Sequence, residues 1–253
     1  MGHNHKTKGW GHISNGRAIG IDGARGGWVC AALENEQLKL EFVSSLSEIS
    51  LESGDRALID MPIGFPSSGP RMCDGDAARS LGSRRSTVFP VPCRAAVEAQ
   101  SFREACERNA ELQGKKLSLQ LWNIVPKMIE LDVFLRSLPA AHERIAEGHP
   151  EIAFATLSPS DVPLAPKRKP EGRETRIAIL SRAAGQDIWK AVGDFYGAHR
   201  PQVAIDDVID AVALAYFLTT YGGEIAFFGD GACDAYRAPM RIATGPGLSV
   251  APR

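Results

Sequence analysis

Apolar positions in this chain come in short runs that stop at Gly, Pro or Asp. Two such runs between Arg17 and Leu33 flank a Gly-rich turn from Gly23 to Gly27, which predicts a β-hairpin whose first strand ends on Asp22. Gln37 to Ser44 predicts a third strand, and Ser47 to Leu51 part of a short helix leading to Gly54. Arg56 to Asp60 repeats the first pattern: an apolar run, a terminal aspartate, then the backbone break Met-Pro-Ile-Gly.

From Phe65 onward the pattern changes. Pro66, Pro70, Pro90 and Pro92 punctuate a loop-rich stretch, while Ala95 to Gln113 and Pro126 to Leu138 carry helical spacing, with Pro126 suited to a first helical turn. These features predict a largely helical insertion over residues 65–146, within a domain whose core is 17–64 and 147–253. The core resumes at Gly148-His-Pro-Glu151, with a predicted strand over Ile152 to Leu157 bearing Glu151 at its start. Helices are predicted through Leu180, over Trp189 to Tyr196 and over Ile205 to Leu218. Residues 224–229 and 240–244 suggest short strands or an irregular tail. Residues 1–16, polar with His3, His5 and His12, are expected to form a flexible leader outside the fold.

Composition narrows the classes. The 253 residues are 44% hydrophobic and 23% charged with a formal net charge of −1, an ordinary globular balance without a global signature for nucleic acid or membrane. A local basic face is still open. Five cysteines without a CxxC pair suit free thiols in a reducing cytoplasm better than disulfides or a zinc site. No run approaches the roughly 18 apolar residues of a membrane span, so a soluble, cytoplasmic protein is expected.

Chemistry is most readily assigned to the carboxylates Asp22, Asp60, Glu151, Asp207 and Asp210. Asp207 and Asp210 are three apart and share a helix face, although acids at a helix start also cap free N–H groups, which suits Asp206 and Asp207 better than Asp210. Asp22 fits equally a functional acid or a hairpin turn that caps its own backbone. Converging carboxylates have raised pKa values unless cations neutralise them, and an oxygen-only set suits Mg²⁺ or Mn²⁺. Two such ions about 3.5–4 Å apart can activate water and stabilise the leaving oxygen of a phosphodiester. Asp22, Asp60 and Asp210 are then the expected metal ligands, with Glu151 and Asp207 completing the shell or positioning water. His149, beside Glu151, either assists proton transfer or is structural. Arg25, Arg79, Arg84, Arg85, Lys127 and Lys169 are the candidate phosphate contacts. The Arg84-Arg85-Ser-Thr cluster and the Lys167-Arg-Lys169 group stand out among them, against the competing account of a solvated charged surface.

Several motifs together resemble the family of predicted nucleases with an RNase H-like fold catalogued as domain of unknown function 429 (DUF429). They are Gly20-Ile-Asp-Gly-Ala-Arg-Gly-Gly-Trp28, Ile59-Asp-Met-Pro-Ile-Gly64, Arg71-Met-Cys-Asp74 with Ala78-Arg79 and Leu81-Gly82, Val88-Phe-Pro90, Trp122-Asn-Ile-Val-Pro-Lys127, His149-Pro-Glu151 and Asp206-Asp-Val-Ile-Asp-Ala211. The resemblance implies a mixed α/β sheet opening with a hairpin, flanked by helices and related to RuvC-type resolvases. It also implies metal-binding acids on the first strand, matched by Asp22; on a central strand, matched by Asp60 or Glu151; and on a late helix, matched by Asp207 with Asp210. The expected activity is metal-dependent phosphodiester hydrolysis of nucleic acid or another phosphoester, and enzymes of this kind acting on symmetric substrates are expected to dimerise. A nucleotide- or nucleic-acid-binding module without hydrolysis is the main alternative. An actin-like or sugar-kinase-like ATPase would need a second Asp-Gly hairpin, which the sequence lacks.

Overall fold

The computed structural model describes residues 13, 16–138, 140–158, 164–167 and 169–248. Of the expected leader, residues 1–12, 14 and 15 lie outside the described residues. A seven-stranded mixed sheet in the order β3-β2-β1-β4-β5-β7-β6 forms the centre. Its strands are β1 (Ala18–Ala24), β2 (Gly27–Glu34), β3 (Gln37–Val43), β4 (Arg56–Asp60), β5 (Ile145–Glu147), β6 (Ala226–Phe228) and β7 (Ile242–Thr244). β1, β2 and β3 form the predicted antiparallel meander, whereas β4 and β5 run parallel to β1.

The helices are α1 (Met72–Ser80), α2 (Arg94–Val97), α3 (Phe102–Gln113), α4 (Leu119–Ser137), α5 (Ala141–Arg144), α6 (Pro150–Leu157), α7 (Pro170–Ala184), α8 (Trp189–His199) and α9 (Ile205–Tyr221). They cover both faces of the sheet, and strand periodicity sorts the core between them. Ile19, Ile21, Ala57 and Ile59 face one apolar cluster, completed by α3 and α4 through residues such as Ala105, Met128 and Leu131. Ala18 and Leu58 face the other, completed by α6 to α9. Parity therefore puts Gly20 and Asp22 on the α9 side of β1, and Leu58 and Asp60 on the α9 side of β4.

α9 lies against β1 more closely than a side chain permits. An added Cβ on Gly20 would stand 1.9 Å from the Ala211 carbonyl oxygen, and one on Gly148 would stand 2.7 Å from Leu214 Cδ2. These two glycines let an apolar helix, buried from Val208 to Leu218, settle on the sheet with Asp210 in its buried run.

Four predicted elements differ from what is observed. Residues 150–157 form a helix, α6, with Pro150 in its first turn, whereas the strand is the preceding Ile145–Glu147. A continuous apolar run does not distinguish a buried helix from a buried strand, and the proline at its start favours the helix. Pro126 lies inside α4, which begins at Leu119 with Ser118 capping the Leu121 N–H. The proline is on the exposed face, where water can satisfy the carbonyl it leaves free. The run from Ala95 to Gln113 divides into α2 and α3, with Ser101 capping the second. The short helix before β4 is a 3₁₀ turn over Leu46–Glu48 rather than Ser47–Leu51. Residues 65–146 supply α1 to α5 and the first two residues of β5, and α2 to α5 pack on the sheet face opposite α9.

Cys30, Cys73, Cys93, Cys106 and Cys233 are unbridged, as expected. Among the described residues no helix is long and apolar enough to cross a membrane.

Candidate metal centre

Parallel pairing of β1 with β4 sets Asp22 directly beside Asp60, at the carboxyl ends of neighbouring strands. α9 brings Asp210 over the same point. One carboxylate oxygen from each of Asp22, Asp60 and Asp210 lies within 4.8 Å of the others. Asp22 and Asp210 are buried, and Asp60 is partly exposed.

Burial and mutual repulsion set the electrostatics. Desolvation, then the charges of Asp60 and Asp210, push the Asp22 carboxyl well above its ordinary range. Desolvation and the neighbouring Asp210 push Asp60 up to about 8. Asp210 rises to about 6, because desolvation outweighs the opposing pull of Lys167. Lys167 Nζ donates to Asp210 Oδ2 at 2.8 Å, and this contact raises the Lys167 pKa against the lowering effect of burial. Asp22 Oδ1 accepts from the Gly23 N–H at 2.7 Å, so the acid also caps its own turn.

α4 supports the hairpin from the other side. Glu130 accepts from Trp28 Nε1 at 3.0 Å and from the Leu46 N–H at 2.8 Å. One turn earlier, Lys127 Nζ donates to the Gly27 carbonyl at 2.6 Å and stands 4.4 Å from the centre of the Trp28 ring. Its ammonium is near enough to Asp22 to feel that charge, although burial lowers its pKa overall.

The remaining candidate acids have other partners. Glu151, buried and expected to complete the shell, forms ion pairs with Arg84 and Arg176 and is absent from the trio. Asp207 accepts from the Ala204 N–H at 2.9 Å, the capping role expected at a helix start, and Asp206 faces Arg173 at 3.3 Å. His149 precedes α6, with Nε2 3.3 Å from the Thr87 carbonyl oxygen, and burial lowers its pKa.

The predicted basic residues divide similarly. Arg84 is committed to Glu151 and to the Leu164 carbonyl, and Arg79 pairs with Asp76. Arg25, Arg85 and Lys169 are exposed. The lysine that reaches the acids is Lys167, the first member of the Lys167-Arg-Lys169 group, whereas Lys169, the member expected to contact phosphate, is exposed. A hydrophilic Lys-Arg-Lys run carries no sequence signal that Lys167 rather than Lys169 turns inward. Sequence also missed Glu147 at the end of β5, whose carboxylate takes Arg71 at 2.8 Å and the Ile63 N–H at 2.8 Å. Its position at a strand end matches that of Asp60, a parallel visible only once β5 is located.

The acids suit a hard divalent cation. All three donors are carboxylate oxygens, and among the described residues the trio's ion pair is with Lys167 rather than with an arginine. A cleft of about 410 Å³ at the opposite end of the hairpin, bordered by Arg17, Glu34, Asp55 and Thr219, is separate from them.

The family described as "Protein of unknown function (DUF429)" matches residues 20–231, most of the chain, and the chain belongs to that family. No curated protein and no solved structure matches it.

Proposed function

We propose that this DUF429 protein is a metal-dependent phosphodiester hydrolase, with nucleic acid as the leading substrate class, built on an RNase H-like fold. One observation carries the proposal: acids from the first strand, a parallel neighbour and a late helix converge to within 4.8 Å. The antiparallel opening meander, the parallel β1–β4 pair and the helix packed across them agree with the fold implied by the motifs.

Asp22, Asp60 and Asp210 would hold Mg²⁺ or Mn²⁺, which supplies Lewis-acid stabilisation of a phosphoryl oxygen and a more acidic water. Asp22 and Asp60 would be placed for this by strand register and Asp210 by the seating of α9. The partly exposed Asp60 marks the side open to substrate. Lys167, paired with Asp210, and Lys127, within electrostatic reach of Asp22, offset the negative charge that an incoming phosphate would otherwise meet. Glu151 has a supporting role, since its ion pairs tie the Arg84 turn to α7.

The test is cleavage of labelled single-stranded, duplex and branched oligonucleotides with Mg²⁺ or Mn²⁺. Asp22→Asn should abolish metal-dependent cleavage while leaving the circular dichroism spectrum unchanged. Unaltered cleavage by that variant removes Asp22 from the mechanism. A binding module without hydrolysis is favoured by one observation, the Lys167 ammonium already resting on Asp210. Calorimetry separates the two, because that reading requires oligonucleotide binding to persist with no uptake of Mg²⁺ or Mn²⁺ at millimolar concentration.

A further inference from the structure

The segment before α7 is fastened at three successive carbonyls. Arg84 Nη1 donates to the Leu164 carbonyl at 3.2 Å, Arg176 Nη1 to that of Ala165 at 2.8 Å, and the Lys169 N–H to that of Pro166 at 3.0 Å. Gly172 packs so tightly beneath that an added Cβ would stand 2.1 Å from the Pro166 carbonyl oxygen. Both arginines are held by the buried Glu151 carboxylate. Lys167 therefore leaves a pinned backbone on a flexible four-carbon stem, and its side chain is 45% exposed although its ammonium meets Asp210.

We infer that Lys167 is a tethered counter-cation of the acidic trio that a divalent ion displaces, and that its ammonium then remains at the rim to meet an anionic oxygen of the substrate. The inference rests on the metal-centre proposal and adds to it. Asp210 Oδ2 lies 2.8 Å from the ammonium, so an ion bound by Asp210 and its two partners would stand only a few ångströms from a positive charge. The two cations compete for one carboxylate. Pinning at residues 164–166 decides what happens next: the side chain swings while the backbone stays. Glu151 thereby acts on the centre indirectly, as the anchor of the segment that carries the competing lysine.

Two measurements on the full-length chain test this inference. By calorimetry at neutral pH, Lys167→Met should bind Mn²⁺ about tenfold more tightly than the unsubstituted protein, inside the range of about 5–150-fold typical of coupled sites. In the unsubstituted protein, amine-reactive labelling followed by peptide mass spectrometry should find Lys167 protected without metal and labelled faster once Mn²⁺ is added. This second measurement needs no variant to fold. Equal or weaker Mn²⁺ binding by a folded Lys167→Met, or labelling that Mn²⁺ leaves unchanged or slows, overturns the inference while leaving the metal centre standing. Absence of Mn²⁺ binding in both proteins overturns the inference and the metal centre together.

Discussion

Gly20→Ala tests whether the close seating of α9 on β1 is what assembles the acidic centre. The new Cβ would stand 1.9 Å from the Ala211 carbonyl oxygen, 2.6 Å from the Ala215 nitrogen and 2.9 Å from Leu214 Cβ, whereas ordinary contact begins near 3.4 Å. Two of these neighbours are helix backbone, which cannot rotate aside as a side-chain tip can. α9 must therefore withdraw by roughly 1.5 Å or tilt, an overpacking that costs about 1–3 kcal/mol. At this chain length each kcal/mol lowers Tm by about 2–4 °C. Asp210 moves with the helix. Asp22, Asp60 and Asp210 each place a carboxylate oxygen within 4.8 Å of the others, so a withdrawal of this size carries Asp210 away from its two partners. The assay is urea unfolding paired with Mn²⁺ calorimetry, with Gly69→Ala as the control, because an added Cβ there meets nothing within 4 Å. The expected outcome is a loss of about 1–3 kcal/mol together with at least tenfold weaker Mn²⁺ binding. A variant as stable as the parent, or one that is destabilised yet binds Mn²⁺ normally, refutes the link between seating and site.

Three further outcomes follow from the charges. Asp60 is pushed up to about 8 in the folded protein from an ordinary 3.8, so the folded state holds a proton that the unfolded state releases. Stability of the metal-free protein should therefore fall as pH rises from about 4 to about 8, and Asp60→Asn should flatten the Tm-against-pH curve over that window; parallel curves would count against the raised pKa. Glu151→Gln leaves Arg176, only 1% exposed, without its carboxylate, and the expected cost is about 3–5 kcal/mol by urea unfolding. Unchanged stability combined with lost Mn²⁺ binding would instead make Glu151 a ligand. Glu130→Ala removes acceptors from the Trp28 indole and the Leu46 N–H, with an expected loss of about 1–3 kcal/mol and unaltered Mn²⁺ affinity; weaker Mn²⁺ binding would make the α4 contact part of the centre.

Local chemistry by itself determines much of this protein. The Gly-rich turn dictates the β1–β2 hairpin, period-2 alternation defines β3, and an apolar run closed by Asp and Pro marks β4 to its last residue. Asp210 likewise stands out as a charge inside an apolar helix, because burying a lone carboxylate is costly. Longer-range questions were settled only by packing. Whether residues 152–157 are strand or helix depends on where β5 ends, since an apolar run alone suits either. Whether Asp207 or Glu151 joins Asp210 depends on which partners lie nearby: a free N–H at Ala204 takes the first and two arginines take the second. Lys167 rather than Lys169 reaches Asp210 because the backbone just before it is pinned by contacts from residues 84 and 176. Sequence identifies groups that must be buried or capped, because that demand is local. Which groups meet is decided by register and helix seating, which depend on residues far away along the chain.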